Sequence, residues 1–166
     1  MVEHITQKDK YVTFKSGNET YGLKIEYVNE IICYQDITEV PETESYIKGL
    51  INLRGKIIPV VDVRLRFVQE PFEYTDRTCI IVLNIKDMVV GLIVEKIAEV
   101  VEILEENVIP SPTINKNDNT HSKYVYGIGR VGDEVKLLLD PERLLADEEL
   151  GLTDKGKGTK EEVEGE

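Results

Sequence analysis

The sequence predicts a mostly-β protein built from two small barrels packed together, with a few short helices. Three observations support this prediction. Short segments alternate between apolar and polar residues, tight turns separate them, and one block of sequence occurs twice. Each repeat supplies about five short strands, too few for an open sandwich, whereas a small closed barrel leaves no strand edges exposed.

The predicted strands follow from alternation of apolar side chains. In the first strand Val12 and Phe14 face one side, while Thr13 and Lys15 face the other. Pro59 falls within another predicted strand, which indicates an edge strand or a kink because proline cannot donate to the ladder. Later strands are predicted at 57–63, 78–85, 88–94, 97–103, 124–131 and 135–139.

Two short helices are predicted from their capping residues. Asp140 is a suitable N-cap and Pro141 fits the first helical position, so a helix is expected to run from there to about residue 150. Asp62 is a suitable N-cap for a second short helix at 64–67.

An internal repeat is the most informative feature. Residues 22–32 align with 91–101 at an offset of 69, with Gly-Leu at the start and glutamates at matching positions. A second match aligns 46–62 with 124–140 at an offset of 78, with local slippage expected at the turn. The larger offset fits a longer polar loop at 110–123.

The repeat predicts one domain, 1–150, made of two lobes at about 11–67 and 78–146. A groove between two lobes is a common binding site. Residues 147–166 carry eight acidic and three basic side chains, and 151–166 is expected to be a disordered acidic tail.

Charge and hydropathy restrict the possible functions. The net charge of −12 disfavours binding to nucleic acid or anionic lipid, both of which depend on Lys and Arg. No run of about 18 apolar residues occurs, and the N-terminus lacks a basic or apolar run, so a cytoplasmic location is predicted. Cys33 and Cys79 have apolar neighbours, and both are predicted to be buried free thiols.

No catalytic constellation is recognisable. His4 and His121 have no Cys or His at metal-ligand spacing, so neither a metal nor a cofactor is predicted. Gly127, Gly129 and Gly132 fit the Gly-x-Gly-x-x-Gly dinucleotide pattern, but a strand-like segment follows where that motif needs a helix. The interpretation is two glycines within a strand and one in the next turn.

The two repeats differ at one cation. Arg54 lies in the apolar run 50–61, whereas the corresponding place in the second repeat, 131–133, is an ordinary hairpin turn. Its stem could cover apolar surface. Alternatively, its guanidinium could anchor a carboxylate or carbonyl of a partner. The residue type alone does not decide between these roles.

A family resemblance lies in residues 46–62. The pattern Ile-x-Gly-x-x-Asn-Leu-Arg-Gly, followed by Ile-x-Pro-Val-Val-Asp, resembles the CheW family of chemotaxis coupling proteins. Residues 21–23 and 28–31 are similar to the start of that family, and the resemblance extends over about 10–150.

The resemblance implies two SH3-like barrels with no catalytic activity. It implies an adaptor that couples the cytoplasmic tips of transmembrane methyl-accepting chemoreceptors to the regulatory domain of the CheA histidine kinase, within membrane-associated receptor arrays. Receptor tips would dock in the groove between barrels. The implied receptor-side residues are Val28, Glu30, Arg54, Val90, Gly91 and Val100. The implied kinase-side residues, on an exposed edge of the first barrel, are Ile37, Thr38 and Val40.

Two other functions stay open at this point. A small β-barrel could bind nucleic acid or a small ligand, although charge and the lack of aromatic and basic clustering disfavour this. An enzyme that uses clustered carboxylates has the least support, because the carboxylates follow the spacing of solvated faces. Distant carboxylates could still meet in space, so this alternative stays open.

Overall fold

The computed structural model of this 166-residue chain describes residues 8–67, 70–110 and 124–145. The strands are β1 (Lys10–Ser16), β2 (Glu19–Lys24), β3 (Val28–Cys33), β4 (Ile47–Leu53), β5 (Lys56–Asp62), β6 (Cys79–Ile85), β7 (Met88–Val94), β8 (Lys96–Glu102), β9 (Val108–Pro110), β10 (Val125–Val131) and β11 (Glu134–Leu139). The helices are α1 (Val63–Arg66) and α2 (Pro141–Leu144), with 3₁₀ turns at Ile25–Tyr27 and Glu105–Asn107. The mostly-β prediction is confirmed. The expected acidic tail lies outside the described residues.

The strands form two sheets. The six-stranded sheet has the order β8-β1-β2-β11-β10-β9, and the five-stranded sheet has the order β3-β6-β7-β5-β4. The outer strand β9 was not predicted, because it has three residues and ends at Pro110, where the expected polar loop begins.

The two sheets do not coincide with the predicted lobes at 11–67 and 78–146. The β1–β2 hairpin joins the sheet of the second half through parallel pairing of β2 with β11. The β6–β7 hairpin joins the sheet of the first half through parallel pairing of β5 with β7. A repeat reveals which segments are alike but not which copy a hairpin pairs with, so the boundaries of the sheets differ from those of the repeats.

The repeat itself is confirmed by strand register. Ile47 is paired with Val61 in the first repeat, and Val125 is paired with Leu139 in the second. The two pairs are equivalent, because the offset of 78 relates their residues. Both hairpins have an irregularity directly after this first pair. Two residues connect the strands in each hairpin, so the offset holds through the turn without slippage.

A shared hydrophobic core joins the sheets. We call the surface along which the sheets pack around this core the seam. The six-stranded sheet contributes the fully or nearly fully buried residues Val12, Phe14, Tyr21, Leu23 and Leu139. The five-stranded sheet contributes Val61, Ile81, Leu83, Val90, Leu92 and Val94. Separate smaller clusters, including Ile80 and Val82 in one sheet and Tyr11 and Leu138 in the other, lie on the opposite faces.

Pro59 lies in an interior strand rather than an edge strand. β5 is placed between β7 and β4, and Pro59 is paired with Leu50 of β4. Pairing of β5 with β7 begins only at Val60, so Pro59 lies where β5 has one neighbouring strand. The ladder therefore tolerates a residue without an N–H group.

The two α-helices begin at equivalent capping aspartates. The buried Asp62 carboxylate accepts hydrogen bonds from the backbone N–H groups of Arg64 and Leu65 at 2.9 and 3.2 Å, and from the Tyr74 hydroxyl. Burial and this hydrogen bond raise the pKa of Tyr74. The Asp140 carboxylate accepts one backbone bond, at 3.0 Å. Both predicted caps are confirmed.

We expect the two caps to differ in their contribution to stability. Asp140→Ala should lower the free energy of unfolding by about 1 kcal/mol, the usual cost of a lost N-cap. Asp62→Ala should cost about 2–3 kcal/mol, because it leaves two backbone donors and the Tyr74 hydroxyl without an acceptor in a buried site. Urea unfolding of both variants measures the difference, and equal losses would contradict this account of Asp62.

Candidate functional site at the seam

Arg54 occupies a hairpin turn in an unusual backbone conformation. It has φ 52° and the following Gly55 has φ 88°, so both turn residues lie in the left-handed region. The second repeat places Gly132, with φ 64°, at the position equivalent to Arg54. A non-glycine residue in this region costs about 1 kcal/mol or more and persists where its surroundings fix it.

An ion pair with Glu30 of β3 holds the Arg54 side chain. The guanidinium Nη2 donates to the Glu30 carboxylate, with side chains 68% and 34% exposed. An exposed ion pair contributes only about 0–1 kcal/mol to stability. The pair therefore orients a guanidinium that remains accessible, more than it stabilises the fold.

The Arg54–Glu30 ion pair lies where the two outer strands of the five-stranded sheet are linked to each other. β3 and β4 are the two outer strands of that sheet. The segment between them returns along β4, where Thr38 and Leu50 exchange backbone hydrogen bonds of 2.9 and 2.8 Å. The Gln35 side chain donates to the Asn52 carbonyl at 3.3 Å. The Arg54–Glu30 pair adds a third link across this closure.

In the second repeat, the carboxylate equivalent to Glu30 has a different cationic partner. Glu99, 69 residues after Glu30, lies 4.0 Å from the ammonium group of the buried Lys136. That ammonium also donates to Glu134 at 2.7 Å, which lowers the pKa of the Glu134 carboxyl. The cation is buried in this repeat and exposed in the first, so the repeats present different charges to a partner.

Equivalent apolar side chains lie on both sides of the seam. Ile31 on β3 is 40% exposed and Val100 on β8 is 52% exposed, and they are related by the offset of 69. Ile31 is paired with Ile81 and Val100 with Val12, and both partners belong to the shared core. Directly paired residues point to the same face, so Ile31 and Val100 face the seam.

A second equivalent pair follows the two hairpin turns. Ile57 and Val135, related by the offset of 78, are both exposed. Exposed β-branched residues at matching places in both repeats are more informative than single exposed apolar residues. Ile31, Ile57 and Val135 were not predicted as site residues, although the repeat alignment already pairs Ile31 with Val100.

The remaining predicted receptor-side residues have different environments. Val28 is half-buried against the shared core on the same strand as Glu30. Val90 has no exposed surface. A Cβ placed on Gly91 would lie 2.8 Å from methyl groups of both Val60 and Ile80. Val90 and Gly91 therefore pack the interior of the five-stranded sheet, and their assignment to the receptor side stays a prediction.

The predicted kinase-side residues lie in the connection that covers β4. Thr38 is exposed and forms the isolated bridge to Leu50. Ile37 is half-buried against the cluster on the face of the five-stranded sheet opposite the shared core. Val40 is half-buried, and its carbonyl accepts a 3.1 Å hydrogen bond from Thr43. The segment is continuous and sits on a sheet edge, and its partner stays a prediction.

Other predicted features have simple structural explanations. Gly127 and Gly129 lie in β10 and Gly132 lies in the following turn, so the glycine pattern does not open a helix. Within the described ranges, no group of three or more His, Cys, Asp or Glu could hold a metal ion. His4 and His121 lie outside those ranges. No helix in the described part of the chain is long and apolar enough to span a membrane.

Known proteins with similar sequence and fold are chemotaxis proteins. The CheW-like domain profile matches residues 10–149. The chain is 37% identical to the chemotaxis protein CheW of Klebsiella aerogenes, over 90% of this chain and 89% of that protein. It is 32% identical to the Treponema pallidum chemotaxis protein CheW, over 84% and 83% of the two chains.

The fold agrees with a solved structure. The scaffolding protein TtCheW from Thermoanaerobacter tengcongensis superposes with a TM-score of 0.73 at 35% identity, covering 80% of this chain and 84% of that one. The fold and the sequence matches together define a chemotaxis scaffold. The chain belongs to the CheW-like family.

Proposed function

We propose that this chain is a non-catalytic cytoplasmic adaptor that couples transmembrane chemoreceptors to a CheA-type histidine kinase in receptor arrays. Membership of the CheW-like family supports a role in chemotaxis. A similar protein is described as a scaffolding protein.

The orientation of Arg54 carries the proposal. Its strained backbone position costs stability and its exposed ion pair to Glu30 adds little, yet together they present an exposed guanidinium. A planar guanidinium suits recognition of a carboxylate or carbonyl, and arginine is enriched at interface positions that dominate binding energy.

The seam supplies the apolar part of the proposed receptor site. Ile31 and Val100 face it from β3 and β8, and Val28 lies on the same strand as Glu30. An amphipathic helix binds a groove through an apolar face and fixes its register by polar contacts at the rim. We assign Ile31 and Val100 to the apolar face and Arg54 to the polar contact.

We assign the kinase contact to the connection between β3 and β4. Thr38 and Val40 belong to the connection along the outer edge of β4, and this connection is partly exposed. An adaptor that couples the two partners must bind both at once, so the proposal requires that the receptor and kinase contacts do not overlap.

Co-sedimentation tests the proposal. The full-length protein is mixed with a receptor cytoplasmic fragment, with the kinase, and with both, and the pelleted fractions are compared. We expect a ternary assembly that exceeds the sum of the two binary ones. Binding to neither partner would contradict the proposed function, and binding to only one would contradict the coupling role.

A further inference from the structure

The two cysteines of the sequence lie directly opposite each other. Cys33 ends β3 and Cys79 begins β6, and they are paired in the antiparallel register of these strands. Directly paired residues present their side chains on the same face. Both thiols are free in this structure. Forty-five residues separate them in sequence, so the pairing arises from the fold and not from a local motif.

The neighbouring backbone hydrogen bond shows which kind of antiparallel pair Cys33 and Cys79 form. The N–H of Tyr34 donates to the carbonyl of Thr78 at 3.1 Å, one residue beyond Cys33 and one before Cys79. This pattern makes Cys33 and Cys79 a non-hydrogen-bonded pair, in which the Cα atoms are about 4.5 Å apart. Disulfides span Cα separations of roughly 4.4–6.8 Å, so the expected Cα separation of this pair falls at the short end of that range.

The two thiols differ in accessibility. Cys33 is exposed, which corrects the expectation that it is buried, whereas Cys79 is half-buried against the shared core. The Cys79 thiol donates to the Arg77 carbonyl at 3.4 Å, and the Ile97 backbone of β8 also lies against its sulfur. Burial raises the pKa of the Cys79 thiol, so an external oxidant meets Cys33 first.

We propose that Cys33 and Cys79 form a redox-responsive pair that closes into an intramolecular cross-strand disulfide when the chain meets a small-molecule disulfide. The Cys33 thiolate attacks the reagent, forms a mixed disulfide and releases one small thiol. The Cys79 thiolate then attacks the Cys33 sulfur and releases the second small thiol. Two protein thiols are oxidised, one reagent disulfide is reduced to two thiols, and both protein protons leave with those thiols.

The bond would join β3 to β6 close to the seam. Ile31, which faces the seam, is two residues from Cys33, and Ile97 of the six-stranded sheet lies beside Cys79. Neither receptor nor kinase takes part in the reaction, so its test does not depend on the proposed function.

Mass spectrometry of the full-length protein tests the pair. The reduced protein is incubated with oxidised glutathione, free thiols are alkylated, and intact masses and peptides are measured without reductant. We expect a monomer lighter by two hydrogens, with one linked Cys33–Cys79 peptide pair and no alkylation. The single variant Cys79→Ser should instead accumulate a glutathione adduct at Cys33, and Cys33→Ser should accumulate less, because its remaining thiol is half-buried.

A register-shifted variant is the matched control. Cys33→Ser combined with Ile31→Cys keeps two thiols on the same strands and faces but makes them diagonal neighbours, about 7–8 Å apart between Cα atoms. We expect at least tenfold less intramolecular disulfide from it under the same conditions. Equal closure by this control would overturn the proposal, and so would wild-type protein that yields only glutathione adducts or disulfide-linked dimers.

Discussion

Arg54→Glu is expected to weaken binding of a receptor cytoplasmic fragment by at least about 30-fold, which corresponds to about 2 kcal/mol. The new carboxylate would lie beside the Glu30 carboxylate. It would also repel the receptor carboxylate or carbonyl that the guanidinium is proposed to bind. The free energy of unfolding should change by no more than about 1 kcal/mol, because the pair is exposed. Titration of the receptor fragment and urea unfolding measure the two effects separately.

Two further variants separate charge from backbone conformation. Arg54→Gly introduces the residue found at the equivalent position, Gly132. It removes the guanidinium and also the strain of a non-glycine residue at a positive φ. Receptor binding should still be lost, with stability changed by no more than about 1 kcal/mol, because relief of backbone strain opposes the larger entropy that glycine gives the unfolded chain. Exchanging the charges through Arg54→Glu with Glu30→Arg should restore the ion pair but not the binding. Normal binding by Arg54→Glu would show that this residue is not the contact.

Gly49→Ala is expected to cause the largest loss of stability, about 4 kcal/mol, from backbone strain and overpacking together. Gly49 has φ 146°, and a Cβ there would lie 2.1 Å from the Thr38 carbonyl oxygen. That oxygen accepts the 2.8 Å hydrogen bond from Leu50, so the closing segment must move and lose its bridge to β4. Urea unfolding monitored by circular dichroism measures the loss.

Gly55→Ala is the matched control for this loss. Gly55 also has a positive φ, of 88°, but a Cβ there would meet nothing within 4 Å. It should cost only the backbone strain, about 1 kcal/mol. If Gly49→Ala costs no more than Gly55→Ala, the close approach of the Thr38 segment does not determine stability.

Much of the local structure could be predicted because it depends on local pattern. Alternating residues gave most of the strands, and the aspartates at 62 and 140 gave both helix starts. The exchange of hairpins could not be predicted, since β2 meets β11, and β7 meets β5, through contacts of the same kind that unexchanged hairpins would make. Pairing between strands far apart in sequence depends on the energy of the whole core, which cannot be inferred from any single segment.

The candidate site could be predicted only in part. Arg54 stood out as a cation without a counterpart in the second repeat, and its side chain is exposed. Its contact with a partner stays a prediction. The run 88–94 is apolar throughout, which is typical of a strand covered on both faces, so the sequence already indicated burial of Val90 and Gly91. The opposition of Cys33 and Cys79 depends on the register of β3 and β6, which is set by distant packing.

The exchange of hairpins also bears on how such a chain could have arisen. A chain with one repeat alone would leave its first hairpin without the strands it pairs with here. Two identical copies could satisfy each other by trading those hairpins, as domain-swapped homodimers do. Fusing the copies end to end would turn that dimer into one polypeptide. Each copy could then change its surface separately, as the exposed Arg54 and the buried Lys136 now differ.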